Sequence, residues 1–380
     1  MRCGIVEKPH GKYGSKLMKK KILFMVISMN IGGVEKALLN MLKTMDSSQN
    51  EVTVLMLEKK GGFLNSLSNW VKVDELSYYR DIKEEFNKPP KELILDYLKS
   101  GNIFKAIYFF IISLFCKLKG DRELLLKALF SKYPDYTGEY DEAIAYAGPM
   151  ALIDYYIANK VKAKKKLGWI HFDITTIGMD RNLSKKLYKK FNEINIVSKD
   201  AKYKFDLVFP EFKDKTKVFY NIILKEEILK LADEKGFDNN YTGLKLLIVG
   251  RISREKGQDL AIEALKKISD RGIEAKLYLV GTGNFEKECK KLAINLGIED
   301  KVIFLGAKSN PYPYMKECDI YIQPSRYEGY CITLAEALIF NKKIVATKFT
   351  GALEQLKERD NHQICDYTSE SISKGILKLI

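Results

Sequence analysis

The sequence predicts an α/β protein built from two doubly wound parallel sheets. Three observations carry this. Apolar runs of strand length alternate with stretches of helical period, several of those runs end in a glycine-bearing loop, and the same strand, loop and helix unit recurs in both halves. A chain of 380 residues with 46% hydrophobic content can bury two cores of ordinary size.

In the N-terminal half, residues 22–28 form an apolar run followed by Asn30, Ile31, Gly32 and Gly33, and residues 34–42 put Val34, Leu38 and Leu42 on one helix face. Gly32 and Gly33 allow backbone to approach a ligand closely, with a helix N-terminus behind them that favours an anion. The same pair also suits a plain tight turn. Residues 52–57 read as the second strand, followed by Lys60, Gly61, Gly62, Phe63 and a helix start. Residues 140–146 and 167–171 read as later strands, the last ending on His171. Only three histidines exist, and His10 and His362 fall in poorly patterned or peripheral segments. A histidine at a strand end is either a packed core residue or a cleft residue. The polar stretch 225–243, with Asp238, Asn239 and Asn240, reads as a linker. The expected organisation is a basic extension over 1–20, a domain over 21–222, a linker over 223–242 and a second domain over 243–380.

In the C-terminal half, residues 244–249 form a strand-length run, apolar except for Lys245. It leads through Gly250, Arg251 and Lys256 to a helical pattern on Leu260, Ile262, Leu265 and Ile268. An Arg fork and a Lys point charge in such a loop suit a diphosphate, although a solvated basic face has the same composition. Residues 275–280 precede Gly281, Thr282 and Gly283, which lack the third glycine of a dinucleotide fingerprint. Residues 301–305 and 343–346 read as further strands, and 352–357 as a helix. Residues 320–324 read as a short buried strand, 325–331 as a loop, and 332–340 as a helix whose apolar side includes Leu334, Leu338 and Ile339. Glu328 therefore lies on a strand-to-helix loop and Glu336 in the first turn of the helix, where ligands of open α/β sheets bind. Thr333 and Glu336 equally fit a capping box, in which Glu336 only satisfies a backbone N–H.

Together these segments resemble the family-4 retaining glycosyltransferases, whose C-terminal half carries Val-Gly-Arg at a strand end, then Glu-Lys-Gly, and later two glutamates with seven residues between them after Pro-Ser. The matches are Val249, Gly250 and Arg251; Glu255, Lys256 and Gly257; Pro324 and Ser325; and Glu328 with Glu336. The resemblance implies two Rossmann-like domains facing across a cleft, the GT-B arrangement. It also implies that Glu328, Gly329, Tyr330 and Cys331 lie at the donor sugar, Glu336 at the nucleotide ribose, and Arg251 and Lys256 at the diphosphate. The family has a Gly-Gly loop facing the cleft where Gly32 and Gly33 stand, and Trp169, Ile170 and His171 resemble its Trp-Ile-His segment beside the donor sugar, so His171 is expected to orient the donor rather than act as an obligate base. Tyr220 and Asn221 resemble the Tyr-Asn at the end of the family's first domain, and the loop after Gly306 is expected near the base. Cys331 stands where many relatives have Gly, and the chain ends at Ile380 where the family usually has a further helix returning to the first domain. The substrate implied is a nucleotide diphosphate sugar, UDP-linked in preference to GDP-linked, with no separate cofactor. A glycan or lipid-linked oligosaccharide acceptor in bacterial surface polysaccharide assembly is implied by the form of residues 326–331. A sugar-nucleotide epimerase and a non-catalytic sugar-binding protein share this architecture.

The net charge, +15, asks for an acidic partner. No motif places basic residues among aromatics on a nucleic-acid reading surface, so nucleic acid is excluded in favour of an anionic membrane surface. Residues 103–116 are apolar apart from Lys105 and Ser113 and are flanked by Lys99, Lys117 and Lys119. Fourteen residues cannot span a bilayer but make either an interfacial helix or a buried one. The absence of an Asp-x-Asp triplet and the sparse histidines predict a metal-independent site. Six scattered cysteines give neither zinc spacing nor a disulfide framework, which fits a reducing cytoplasm. Lys19, Lys20 and Lys21 before residues 22–28 imitate a signal peptide, but the run is short and leads straight into the Gly-Gly loop, so secretion is not expected; Met18 is an alternative start.

Overall fold

The computed structural model describes residues 18–237 and 241–380. The basic extension up to residue 17, His10 and Asp238 to Asn240 thus lie outside the described residues. Strand β1 (Lys20–Val26) buries five consecutive side chains, as a strand covered on both faces must. Ile22, Phe24 and Val26 enter one apolar cluster and Leu23 and Met25 another, the alternation that lets helices pack on both sides of one sheet. Around β1 lie β2 (Asn50–Met56), β3 (Lys72–Glu75), β4 (Tyr136–Gly148), β5 (Val161–Ile170), β6 (Glu193–Ile196) and β7 (Thr216–Val218), in the order 3-2-1-4-5-6-7. Every pairing in this sheet is parallel.

The second sheet contains β8 (Leu244–Val249), β9 (Ala275–Val280), β10 (Val302–Gly306), β11 (Ile320–Gln323), β12 (Lys343–Thr347) and β13 (His362–Cys365), in the order 10-9-8-11-12-13 and again all parallel. In each sheet the order reverses once, between β1 and β4 and between β8 and β11. Loops leaving the carboxyl ends of those strands diverge and open a crevice, so the topology itself places the ligand-binding position.

The helices are α1 (Gly33–Thr44), then α2 (Tyr79–Asn87), α3 (Pro90–Lys99), α4 (Ile103–Lys119) and α5 (Glu123–Phe130) as one excursion between β3 and β4, followed by α6 (Ala151–Lys160), α7 (Arg181–Tyr188) and α8 (Lys199–Val208). Helix α9 (Lys225–Leu231) forms within the polar stretch read as a linker. Its Ile228 is buried with Ala232 and Phe237 in the core of the second sheet, which confines the crossing between domains to the residues between β7 and α9. The second domain adds α10 (Gln258–Ser269), α11 (Glu286–Asn295), α12 (Tyr312–Glu317), α13 (Ile332–Ala337), α14 (Ala352–Leu356) and α15 (Ser369–Leu377). The helix expected after Phe63 is only a three-residue 3-10 turn, and the one expected over 332–340 continues beyond Ala337 as 3-10.

The two domains meet along one side of the cleft. Asp173 of the β5 loop accepts from Thr350 at 2.7 Å, and Lys204 of α8 donates to both, at 2.8 and 2.6 Å. Ser198 Oγ donates to the Gly329 carbonyl at 3.2 Å, and Ile332 and Tyr330 pack on the cluster that holds β1.

Candidate functional site at the two strand-order reversals

The loop after β8 and the loop after β11 are locked together by backbone. Gly257, in the left-handed region at φ 72°, would push a Cβ to 2.0 Å from the Pro324 carbonyl oxygen, so any side chain there separates the two loops. Across this contact Lys256 Nζ meets Glu328 Oε1 at 2.5 Å. Ser325 Oγ donates to the same oxygen at 2.8 Å, and Gln323 Nε2 bridges Ser325 at 2.8 Å and Glu328 at 3.4 Å. Tyr321 donates to the Gln323 amide oxygen at 2.8 Å, which fixes the amide from beneath. A buried, fully connected network thus orients Glu328, and its Oε2 accepts no hydrogen bond among the described residues. Burial works against the Lys256 charge, yet the Glu328 carboxylate outweighs it and holds the pKa above that of an ordinary lysine. Arg251 reaches out at 65% exposure and pairs with Glu255 at 2.6 Å, a surface contact that an anion can replace.

Glu336 does not cap its own helix. The N-cap residue of α13 is Cys331, without a side-chain cap, and Glu336 turns inward at 3% exposure to accept from Tyr312 at 2.8 Å. Burial raises its pKa to about 7, against the opposing pull of the Tyr312 hydrogen bond and of Lys36. Lys36 arrives from α1 of the other domain, its ammonium 5.7 Å from the Tyr312 ring centre. Sequence reasoning did not single out Lys36, Tyr312 or Gln323, because each acts through a partner distant in sequence.

Gly32 is the N-cap of α1, and a Cβ added at Gly33 would meet nothing within 4 Å, so that side of the turn is open to a ligand. The next acidic residue, Glu35, was also missed. Its carboxyl is pushed up by burial, with its own backbone hydrogen bond and the charge of Arg251 pulling the other way, so the first turn of α1 faces the β8 loop. His171 is 6% exposed, and burial lowers its pKa to about 3, so the ring is neutral and a poor base. Among the described residues its Nε2 has no hydrogen-bond partner, nor do the neighbouring Tyr146 hydroxyl and Trp169 Nε1, with the Tyr146 ring 4.7 Å from the imidazole. These three buried polar atoms lie together at the ends of β4 and β5, where a polar group could bond to them.

Gly329 seats the loop after β11 against the end of β5. A Cβ at Gly329 would lie 1.9 Å from the His171 carbonyl oxygen. Tyr330 contacts Tyr220 with ring centres 6.0 Å apart, and its carbonyl accepts from Gln355. Glu328 and Tyr327 also wall an interdomain crevice of about 360 Å³, opposite Asp173, Thr175 and Thr176. Cys331 adopts φ 64° and ψ 83°, a left-handed conformation that costs a non-glycine residue about 1 kcal/mol. Its thiol is buried and pushed up to about 12. Cys331→Gly should therefore change stability by no more than about 1 kcal/mol, strain relief offsetting the lost side chain, whereas the β-branched Cys331→Val should cost roughly 2 kcal/mol or more. Urea unfolding of the two variants measures this.

Among the described residues no cluster of three or more His, Cys, Asp or Glu side chains gathers to hold a metal ion. No helix among them is long and apolar enough to cross a membrane.

Residues 232–380 match the family model of the glycosyl transferases group 1. An uncharacterized glycosyltransferase of Methanocaldococcus jannaschii is 28% identical over 170 residues, 43% of this chain and 42% of that protein. A Campylobacter jejuni N-acetylgalactosamine-N,N'-diacetylbacillosaminyl-diphospho-undecaprenol 4-alpha-N-acetylgalactosaminyltransferase is 31% identical over 142 residues, 37% of each chain. The chain thus spans less than half the length of these curated relatives. Among solved structures, the Anabaena protein HepE in complex with UDP-glucose superposes with a TM-score of 0.62 at 19% identity, covering 94% of this chain and 89% of that one. The two facing sheets are the GT-B fold.

Proposed function

We propose, from the match of residues 232–380 to the glycosyl transferases group 1, that the chain is a retaining glycosyltransferase that moves a sugar from a nucleotide diphosphate to an acceptor hydroxyl. One observation carries the reading: Arg251, the Lys256–Glu328 pair and buried Glu336 converge at the reversal between β8 and β11, with Lys36, Glu35 and His171 of the other domain facing them.

In this reading the diphosphate displaces Glu255 from Arg251 and lies beside Lys256, and these two cations stabilise the charge that grows on the leaving group without a metal ion. The ribose hydroxyls bond to Glu336, and the sugar hydroxyls find Glu328 Oε2 and the orphaned Nε2 of His171, which accepts a hydrogen bond rather than a proton. UDP is the favoured nucleotide, as in the HepE complexes, and GDP the alternative. Closure of the cleft excludes water and directs the acceptor hydroxyl to the anomeric carbon. A lipid-linked oligosaccharide acceptor, at an anionic membrane face during surface polysaccharide assembly, is supported by the net charge of +15 and by the undecaprenol-linked substrate named for the Campylobacter relative.

Thermal unfolding with a panel of nucleotide diphosphates and their sugars tests the assignment. A ligand at a hundredfold excess over its Kd stabilises the native state by about 2.7 kcal/mol, and Lys256→Ala should lose most of that shift. Turnover of the stabilising sugar nucleotide should be the same in EDTA as in magnesium. No shift with any nucleotide, in folded protein, rejects the assignment.

A further inference from the structure

The sequence leaves helix α4 open to two readings, an interfacial helix or a buried one, and in the structure it is buried along one face only. Only Ala106, Phe109 and Ile112 are buried. Phe104 is 88% and Leu118 74% exposed, and Ile103, Ile107, Tyr108, Phe110, Ile111, Leu114 and Phe115 are all exposed as well. At about 100° per residue, the buried side chains define one face, and Phe104, Ile107, Ile111, Leu114 and Leu118 fall along the opposite one. Leu95 and Leu98 of α3, which packs against α4, are exposed as well. Scattered exposed apolar residues are ordinary, but a continuous stripe of this kind marks an interaction site.

The charge around the stripe selects the partner. Helix α4 contains no Asp or Glu, and Lys117 and Lys119 project on either side of the apolar face in its last turn, with Lys99 at the end of α3. An apolar face edged by lysines whose stems can reach up to headgroups fits an anionic bilayer surface. Seventeen helical residues extend about 25 Å, too short to cross a bilayer upright and suited to lying along its interface.

We propose that the α3–α4 hairpin docks the protein on anionic lipid bilayers, with Phe104, Ile107, Ile111, Leu114 and Leu118 immersed among the lipid chains. The hairpin is coupled to the cleft. Asn182 Nδ2 donates to the Gly120 carbonyl at 2.9 Å and Asp180 accepts from the Arg122 amide at 2.9 Å, which ties the end of α4 to the segment that follows β5 and His171. Docking there holds the cleft at the membrane surface, where a lipid-linked hydroxyl would be presented.

The test is cosedimentation of the full chain with phosphatidylcholine vesicles, with and without phosphatidylglycerol. Binding should require phosphatidylglycerol and weaken with salt. Lys117→Gln with Lys119→Gln should lower partitioning about 30-fold, the equivalent of two headgroup contacts. Phe104→Ser, Ile111→Ser and Leu118→Ser together should abolish it, and as exposed positions they should leave the fold intact. Nucleotide-induced thermal stabilisation should persist in both variants, so this inference and the donor-site reading fail separately. Equal binding by wild type and the triple serine variant would overturn the proposal. So would a wild-type dimer that the same substitutions convert to monomer without any vesicle binding, which would assign the face to a second copy.

Discussion

Glu336→Gln is expected to make the protein more stable above pH 7 and a poorer binder of its nucleotide. Burial gives the Glu336 carboxyl a folded-state pKa of about 7, above the ordinary value of 4.5. A carboxyl raised in this way favours folding fully below pH 4.5, where both states are protonated. That contribution declines as the unfolded chain ionises first, and it is gone once the pH exceeds the folded pKa. The gap corresponds to roughly 3 kcal/mol. A neutral amide avoids this decline but leaves part of its own NH2 group unbonded, so the net gain at pH 8 should be about 2 kcal/mol. If Glu336 holds the ribose as proposed, the ribose hydroxyls donate to the carboxylate and the ligand selects the ionised form. UDP affinity should rise with pH through the range around 7, and binding below that range should release a proton. Calorimetry in buffers of different ionisation enthalpy reads this release, and Glu336→Gln should abolish both the release and most of the affinity. A variant with unchanged stability at pH 8 and unchanged UDP binding would remove Glu336 from the site. Opposed effects of this kind would express a general trade, in which a carboxylate kept dry for recognition costs stability when it carries no ligand.

The parts of this protein that were legible in its sequence are those whose signal is local. Strands β8 and β9 occupy the expected residues because their runs, apolar except for Lys245 and Lys276 near the strand starts, are satisfied in a sheet covered on both faces. The loops at their ends were legible for the same reason. Strand β3, with sequence Lys-Val-Asp-Glu, and the lysine-rich first half of β5 carry no such signal and exist through pairing with β2 and β4. Glu328 and Lys256 stood out in the sequence as candidate site residues, but not the chain of Tyr321, Gln323 and Ser325 that orients Glu328, because polar side chains in and just after a buried strand look like a break in its pattern. Glu336 shows the limit most clearly. Its spacing from Thr333 fits a capping box, and only the arrival of Tyr312 and Lys36 from elsewhere turns the carboxyl away from its own backbone. In α4, composition predicted a helix, and the side left uncovered depended on where α3 and α5 pack.

The pair Lys256 and Glu328 should show the largest loss of activity and a distinctive pattern in stability. Glu328 is 10% exposed and Lys256 22%, so each charge is largely removed from water and is balanced by the other. Lys256→Met leaves a carboxylate held by Ser325 and Gln323 alone, and Glu328→Gln leaves an ammonium facing an amide. Because Lys256 keeps partial contact with solvent, each change should cost about 2 kcal/mol, below the range for a fully buried pair. The double variant should recover most of that loss, because no unpaired charge remains. Activity should follow the opposite rule. If Lys256 stabilises the departing diphosphate and Glu328 holds the sugar, each single change should lower kcat/KM by a factor of about 100 to 1,000, and the double variant should recover nothing. Urea unfolding and initial rates on the same three proteins separate the two roles. Recovery of stability without activity assigns both residues to the chemistry; additive losses of stability would mean that the two charges do not balance each other, and a single variant with wild-type turnover would mean that the pair only braces the β8 and β11 loops.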